Sequence, residues 1–70
     1  MAYYNAIVYT DYGTTITYHN VTNLDSMLRY LRQNISYTKV FLYKLPYRKA
    51  ERGVYVAFHF PNMVGFKFKI

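Results

Sequence analysis

Seventy residues with no cysteine, 53% of them hydrophobic and 21% aromatic, exclude a disordered chain and a disulfide scaffold, and they supply one core. Nine Lys and Arg against three Asp and Glu give a net charge of +6, which argues against an acidic mimic of DNA and for a negatively charged partner. Apolar runs such as residues 40–43 reach at most five residues, far short of the roughly 20 residues that a membrane-spanning helix needs.

A chain that opens on Met1 with no targeting segment is expected to be complete, with one domain over residues 1–70. The absence of cysteine fits a reducing compartment, so the expected location is the cytoplasm of the host cell. The charges are unevenly spread. Asp11 and Asp25 are the only charged side chains in residues 1–28, whereas residues 29–70 hold all nine basic residues and Glu51 alone. With no internal repeat or linker, this asymmetry marks faces of one domain.

In chain order, residues 3–10 are rich in β-branched and aromatic types, Asp11-Tyr12-Gly13 has turn chemistry, and residues 14–21 resume strand character. This predicts a β-hairpin. Thr22-Asn23-Leu24-Asp25 predicts a helix start capped by Thr22. Leu24, Met27, Leu28 and Leu31 then fall on one helical stripe, and Asn34 supplies a stop. Residues 38–45 read as a third strand, followed by Pro46 and an exposed basic loop. Gly53 opens a fourth strand to Phe60, Pro61-Asn62 turns the chain, and residues 64–70 alternate as a fifth strand. The expected fold is α+β: an antiparallel sheet of about five strands, ordered ββαβββ along the chain, with one amphipathic helix packed on one face.

Side chains two apart on a strand share a face. Val64, Phe66, Phe68 and Ile70 therefore predict one inner set, with Val54, Val56, Phe58 and Phe60 beside them and Val40 and Leu42 from the third strand. In the hairpin, Ile7 with Tyr9 and Ile16 with Tyr18 are the expected inward pairs. The outer face is then left with Lys39, Phe41, Tyr43, Tyr55, Ala57, His59, Lys67, Lys69, Thr15, Thr17 and His19.

Aromatic rings interleaved with basic groups on adjacent strands are the chemistry that single-stranded nucleic acid requires. Rings stack on unpaired bases, and Lys or Arg neutralises the phosphates between them. The candidate contact residues are Lys39, Phe41, Tyr43, Tyr55 and Lys67, extended by the loop residues Arg48, Lys49 and Arg52 and by the helix arginines Arg29 and Arg32. The same aromatics also suit a seam with a second copy or a partner protein, so a homodimer stays open. Lys67 and Lys69 have a further explanation as guards against edge-to-edge aggregation.

Catalysis has little to work with. Only His19 and His59 stand as candidates to share a face as an acid–base pair, no Cys, His or acidic cluster has metal-ligand spacing, and Gly13, Gly53 and Gly65 are too scattered for a phosphate loop. The expectation is a non-enzymatic binding protein without a cofactor. Tyr3, Tyr4, Tyr12, Tyr37 and Tyr47 exceed what the expected core can hide and are candidates for a recognition surface.

Short, cysteine-free, rich in Tyr and Asn and laid out as hairpin, helix and sheet, the chain is similar in style to small accessory proteins of bacteriophages and other mobile elements. The similarity assigns no residue a role. It implies the alternative function of an inhibitor that binds a host protein or ribonucleoprotein, as anti-CRISPR proteins do.

Overall fold

A computed structural model describes residues 1–70. The elements run β1 (Tyr4–Thr10), β2 (Thr15–Val21), α1 (Leu24–Asn34), β3 (Tyr37–Lys44), β4 (Val54–His59) and β5 (Lys67–Phe68). The order is the expected ββαβββ. All four pairings are antiparallel, and the strands lie in the order β2-β1-β3-β4-β5.

The hairpin closes where Thr10 and Thr14 exchange bonds. The Thr10 amide donates to the Thr14 carbonyl at 2.9 Å and the Thr14 amide donates to Thr10 Oγ1 at 3.1 Å. Gly13 takes φ +82° in this turn, a conformation that costs a residue with a Cβ. The helix is capped by Asn23 rather than Thr22. The Asn23 side chain accepts from the Ser26 amide at 3.0 Å, because from that position its carbonyl reaches the free N–H three residues on. Asp25 in the first turn and Arg32 in the last oppose the helix dipole. Ile35 ends the helix in an extended conformation, its amide bonded to Leu31 O.

The helical stripe packs as expected: Met27, Leu28 and Leu31 are buried, with Leu24 against their edge. Beneath them two rows of side chains cross the sheet in register, Ile16, Val8, Val40 and His59 in one and Tyr18, Ala6, Leu42 and Ala57 in the other. Ala6, Val8, Val40, Leu42 and Ala57 are fully buried.

These rows correct several face assignments. Ile7 and Tyr9 do not point inward, because Ala6, Val8 and Thr10 do. In β4 the inward residues are Ala57 and His59, while Phe58 lies in register with Phe41 on the opposite side. The pairing also steps past Val56 between Leu42 and Tyr43, so alternation across β4 is broken there. The physical reason is helix approach: α1 lies over the sheet centre and accepts Ala there, while the bulky rings go to the side with no helix. The fifth strand is two residues long rather than seven. Phe66 packs against the core, but Val64 and Ile70 are exposed. Residues 61–65 turn instead, with Gly65 at φ +80° and Arg32 donating to the carbonyls of Pro61 and Met63 at 3.1 and 2.5 Å.

Among the surplus tyrosines, Tyr37 is buried and Tyr4 packs on the core, so neither belongs to a recognition surface. Tyr12 and Tyr47 are exposed. No helix is long and apolar enough to cross a membrane.

Candidate nucleic-acid interface

The single helix covers one side of the sheet, and no second layer covers the other. On that open side the strand registers bring Thr17, Ile7, Phe41, Phe58 and Lys67 into one row, Thr15, Tyr9 and Lys39 into a second, and Asn5, Tyr43 and Tyr55 into a third. Its rings form a continuous line. Tyr9 and Phe41 have centroids 5.6 Å apart, Phe41 and Tyr55 5.8 Å, and Tyr55 and Tyr43 5.9 Å, all in edge-to-face contact. Phe58 and Phe60 continue the aromatic cover at 5.2 Å from each other. Each ring of the line is half-buried through its neighbours, which holds the line rigid while one side stays open to solvent.

Cations sit at ring height. Lys39 Nζ lies 4.8 Å from the Tyr9 centroid and 5.5 Å from that of Phe41, and Lys69 Nζ lies 5.8 Å from Tyr55. Such cation–π contacts hold the ammonium groups between the rings without neutralising them. None of the three carboxylates lies on a strand: Asp11 is in the hairpin turn, where it accepts from the Ser36 hydroxyl, Asp25 is on the helix and Glu51 is in a loop. The open face is therefore cationic.

Of the residues singled out in the sequence, Lys39, Phe41, Tyr43, Tyr55 and Lys67 are brought together on this face. Arg48, Lys49 and Arg52 are exposed on the β3–β4 connection, which leaves the sheet just past Tyr43 and returns just before Tyr55. That connection is tied down: the Lys49 amide donates to Asn20 Oδ1 at 2.6 Å, the Ala50 amide to Tyr47 O at 3.2 Å, and Leu45 and Ala50 are buried. Lys49 holds φ +65° to make this turn. Arg29 and Arg32 belong to the helix on the far side of the sheet and cannot join the open face, and Arg32 is already engaged with the 61–65 turn. Sequence reasoning left Tyr9, Ile7 and Phe58 off this face. The signal that would have placed them was the small pair Ala6 and Val8 at alternate positions to Ile7 and Tyr9, and Ala57 beside Phe58.

The two histidines do not form a pair. His59 is fully buried under the helix side and His19 is exposed on β2. His59 Nδ1 lies 2.7 Å from the Gly65 carbonyl and Nε2 lies 2.8 Å from Tyr37 Oη. Burial pushes the His59 pKa down, the Gly65 bond opposes this, and the charge of Arg32 adds to the lowering. Burial likewise raises the Tyr37 pKa. No group of three or more His, Cys, Asp or Glu side chains is placed to hold a metal ion. No protein-family model, curated protein or solved structure matches this chain.

Proposed function

We propose that this protein is a non-catalytic binding module that takes single-stranded nucleic acid across the open face of its sheet. The observation that carries the proposal is the line of rings Tyr9, Phe41, Tyr55 and Tyr43 with Lys39 and Lys69 at ring height and no carboxylate on the strands. Unpaired bases stack on such rings for about 1–3 kcal/mol each, whatever the base, while ammonium groups meet the phosphates between them. A duplex keeps its bases stacked on one another and leaves rings of this kind unused. Lys67 borders the face, and Arg48, Lys49 and Arg52 add basic charge on the exposed connection between β3 and β4.

A second reading has its own observation. Tyr12 and Tyr47 are about two-thirds exposed and lie off the ring line, at 65% and 66%, as on surfaces that recognise proteins. Under that reading the protein is an inhibitor of the phage accessory type that docks on a host protein or ribonucleoprotein.

Fluorescence anisotropy with labelled single-stranded and duplex oligonucleotides across a salt series tests the first reading. The expected result is tighter binding to single strands, weakening with salt by a log–log slope of several units. No binding at low salt rejects it and leaves the protein-docking reading.

A further inference from the structure

The two edges of the sheet are built differently. At one edge β5 is only two residues long, includes Lys67 and is followed by Lys69, the devices by which proteins keep sheet edges from pairing. At the other edge β2 runs for seven residues with no proline, lysine, arginine or carboxylate, and Thr15, Thr17 and His19 are exposed along it. Along residues 15–18 none of these devices is present; the pairing with β1 becomes irregular only beyond them, toward Asn20 at φ +56°. The loop bond from Lys49 reaches only its far end, at Asn20.

The direction of the unpaired backbone groups follows from the hairpin. Thr10 and Thr14 are hydrogen-bonded across the turn, and the pairs Val8 with Ile16 and Ala6 with Tyr18 continue the same phase. In an antiparallel ladder the alternate residues, here Thr15 and Thr17, turn their N–H and C=O away from the partner strand and toward the open edge.

We infer that β2 is the site at which a second copy of this chain pairs, edge to edge and antiparallel, about a two-fold axis at Thr17. In this register Thr17 meets Thr17 of the second copy, and Ile16 meets Tyr18 of the second copy on the helix side. The latter is an aromatic and β-branched cross-strand pair of the kind that stabilises sheets. Ile16 and Tyr18 are both only half-buried in the single chain, and a mainly apolar groove lined by Tyr18, Val21, Ser26, Met27 and Tyr30 runs beside them. The second copy covers this border. Charge favours the same occupant, because β2 itself carries no Lys, Arg or carboxylate, so the two-fold sets no like-charged side chains of a +6 chain strand against strand. An isologous contact of this kind closes on itself and does not propagate. Its axis stands perpendicular to the sheet, so both open aromatic faces point the same way in one ten-stranded sheet.

Sedimentation equilibrium of the full chain across the micromolar to millimolar range tests this, with Thr17→Lys and Thr17→Pro as variants. Thr17→Pro removes an outward N–H and leaves the β1–β2 ladder intact. Thr17→Lys, whose side chain lies on the open face and away from the core, sets like charges against each other across the axis. A dimer that becomes a monomer in either variant, with native circular dichroism, is the expected result. A chain that stays monomeric throughout overturns the inference, as does a dimer that survives Thr17→Lys. So does a dimer lost on Tyr43→Ala but kept in Thr17→Lys, which puts the seam on the aromatic face.

Discussion

Tyr37 Oη and Nε2 of His59 lie 2.8 Å apart inside the core, and the other ring nitrogen of His59 faces the Gly65 carbonyl at 2.7 Å. A carbonyl only accepts, so Nδ1 carries the proton and Nε2 accepts from the tyrosine hydroxyl. The neutral imidazole is satisfied at both nitrogens, which is why a histidine occupies a fully buried position on β4. Through Gly65 it also anchors the turn that leads into β5.

This arrangement makes stability depend on pH in one direction. The folded-state pKa of His59 is lowered by burial, against the opposing Gly65 bond, with Arg32 adding to the lowering. The unfolded chain takes up a proton near pH ~6.5, and the folded chain does so only at lower pH, so acidification favours unfolding within that window. Thermal melts are expected to be flat above about pH 7 and to fall progressively below about pH 6.5. His59→Phe should lower the melting temperature at neutral pH and flatten the acid decline. An equally steep decline in that variant would place its origin elsewhere.

Gly53 is constrained by space. A Cβ there would sit 2.7 Å from the Lys44 carbonyl oxygen, 3.0 Å from its carbon and 3.1 Å from Leu45 Cδ2. Backbone atoms cannot swing aside as a side chain does, so Gly53→Ala should force β3 and β4 apart and cost about 1–3 kcal/mol. Gly13→Ala meets no atom within 4 Å and suffers only from its positive φ. Amide chemical shifts separate the two. Gly53→Ala should disturb Tyr43 and Tyr55, while Gly13→Ala should disturb only the hairpin turn.

The order of elements, the helical stripe and the outward position of Phe41, Tyr43 and Tyr55 were legible in the sequence, because hydrophobic period and turn chemistry are local signals. The faces of β1 and β4 were not. Choosing the larger apolar residues as the core favours Ile7, Tyr9 and Phe58, yet a helix lying close on a sheet needs small side chains beneath it, and Ala6, Val8 and Ala57 supply them. The broken alternation at Val56 and the burial of His59 depend on pairing partners distant in sequence, Tyr43 and Tyr37 among them. The outer ring line consequently holds more than strand alternation alone indicated, with Tyr9 and Phe58 added to it.

Ring truncation separates the platform from the rest of the surface. Tyr55 touches both Phe41 and Tyr43, so it is the joint of the line. Tyr55→Ala should weaken binding of single-stranded oligonucleotides by about 1–3 kcal/mol, roughly fivefold to 150-fold, with little change in the salt slope, because no phosphate contact is removed. Tyr12→Ala, off the line in the hairpin turn, should leave affinity unchanged. Equal losses in both variants, read by anisotropy, would remove the sheet face from the site.

The loop cations should act in the opposite way. Arg48, Lys49 and Arg52 are exposed on the β3–β4 connection, whose backbone is tied down by the Asn20 and Tyr47 hydrogen bonds. Because Lys49 already holds φ +65°, the replacement that removes its charge without adding strain is glycine. In the combined variant Arg48→Ala, Lys49→Gly, Arg52→Ala, each lost phosphate contact lowers the log–log salt slope by about 0.7 for a single strand. The expected change is therefore up to about 2 in slope. Affinity should fall most at low salt and converge with that of the original chain as salt rises, since only the ionic part of binding has been removed. A loss of affinity at an unchanged slope would instead mean that the loop supports the fold of the β3–β4 end and does not meet phosphate.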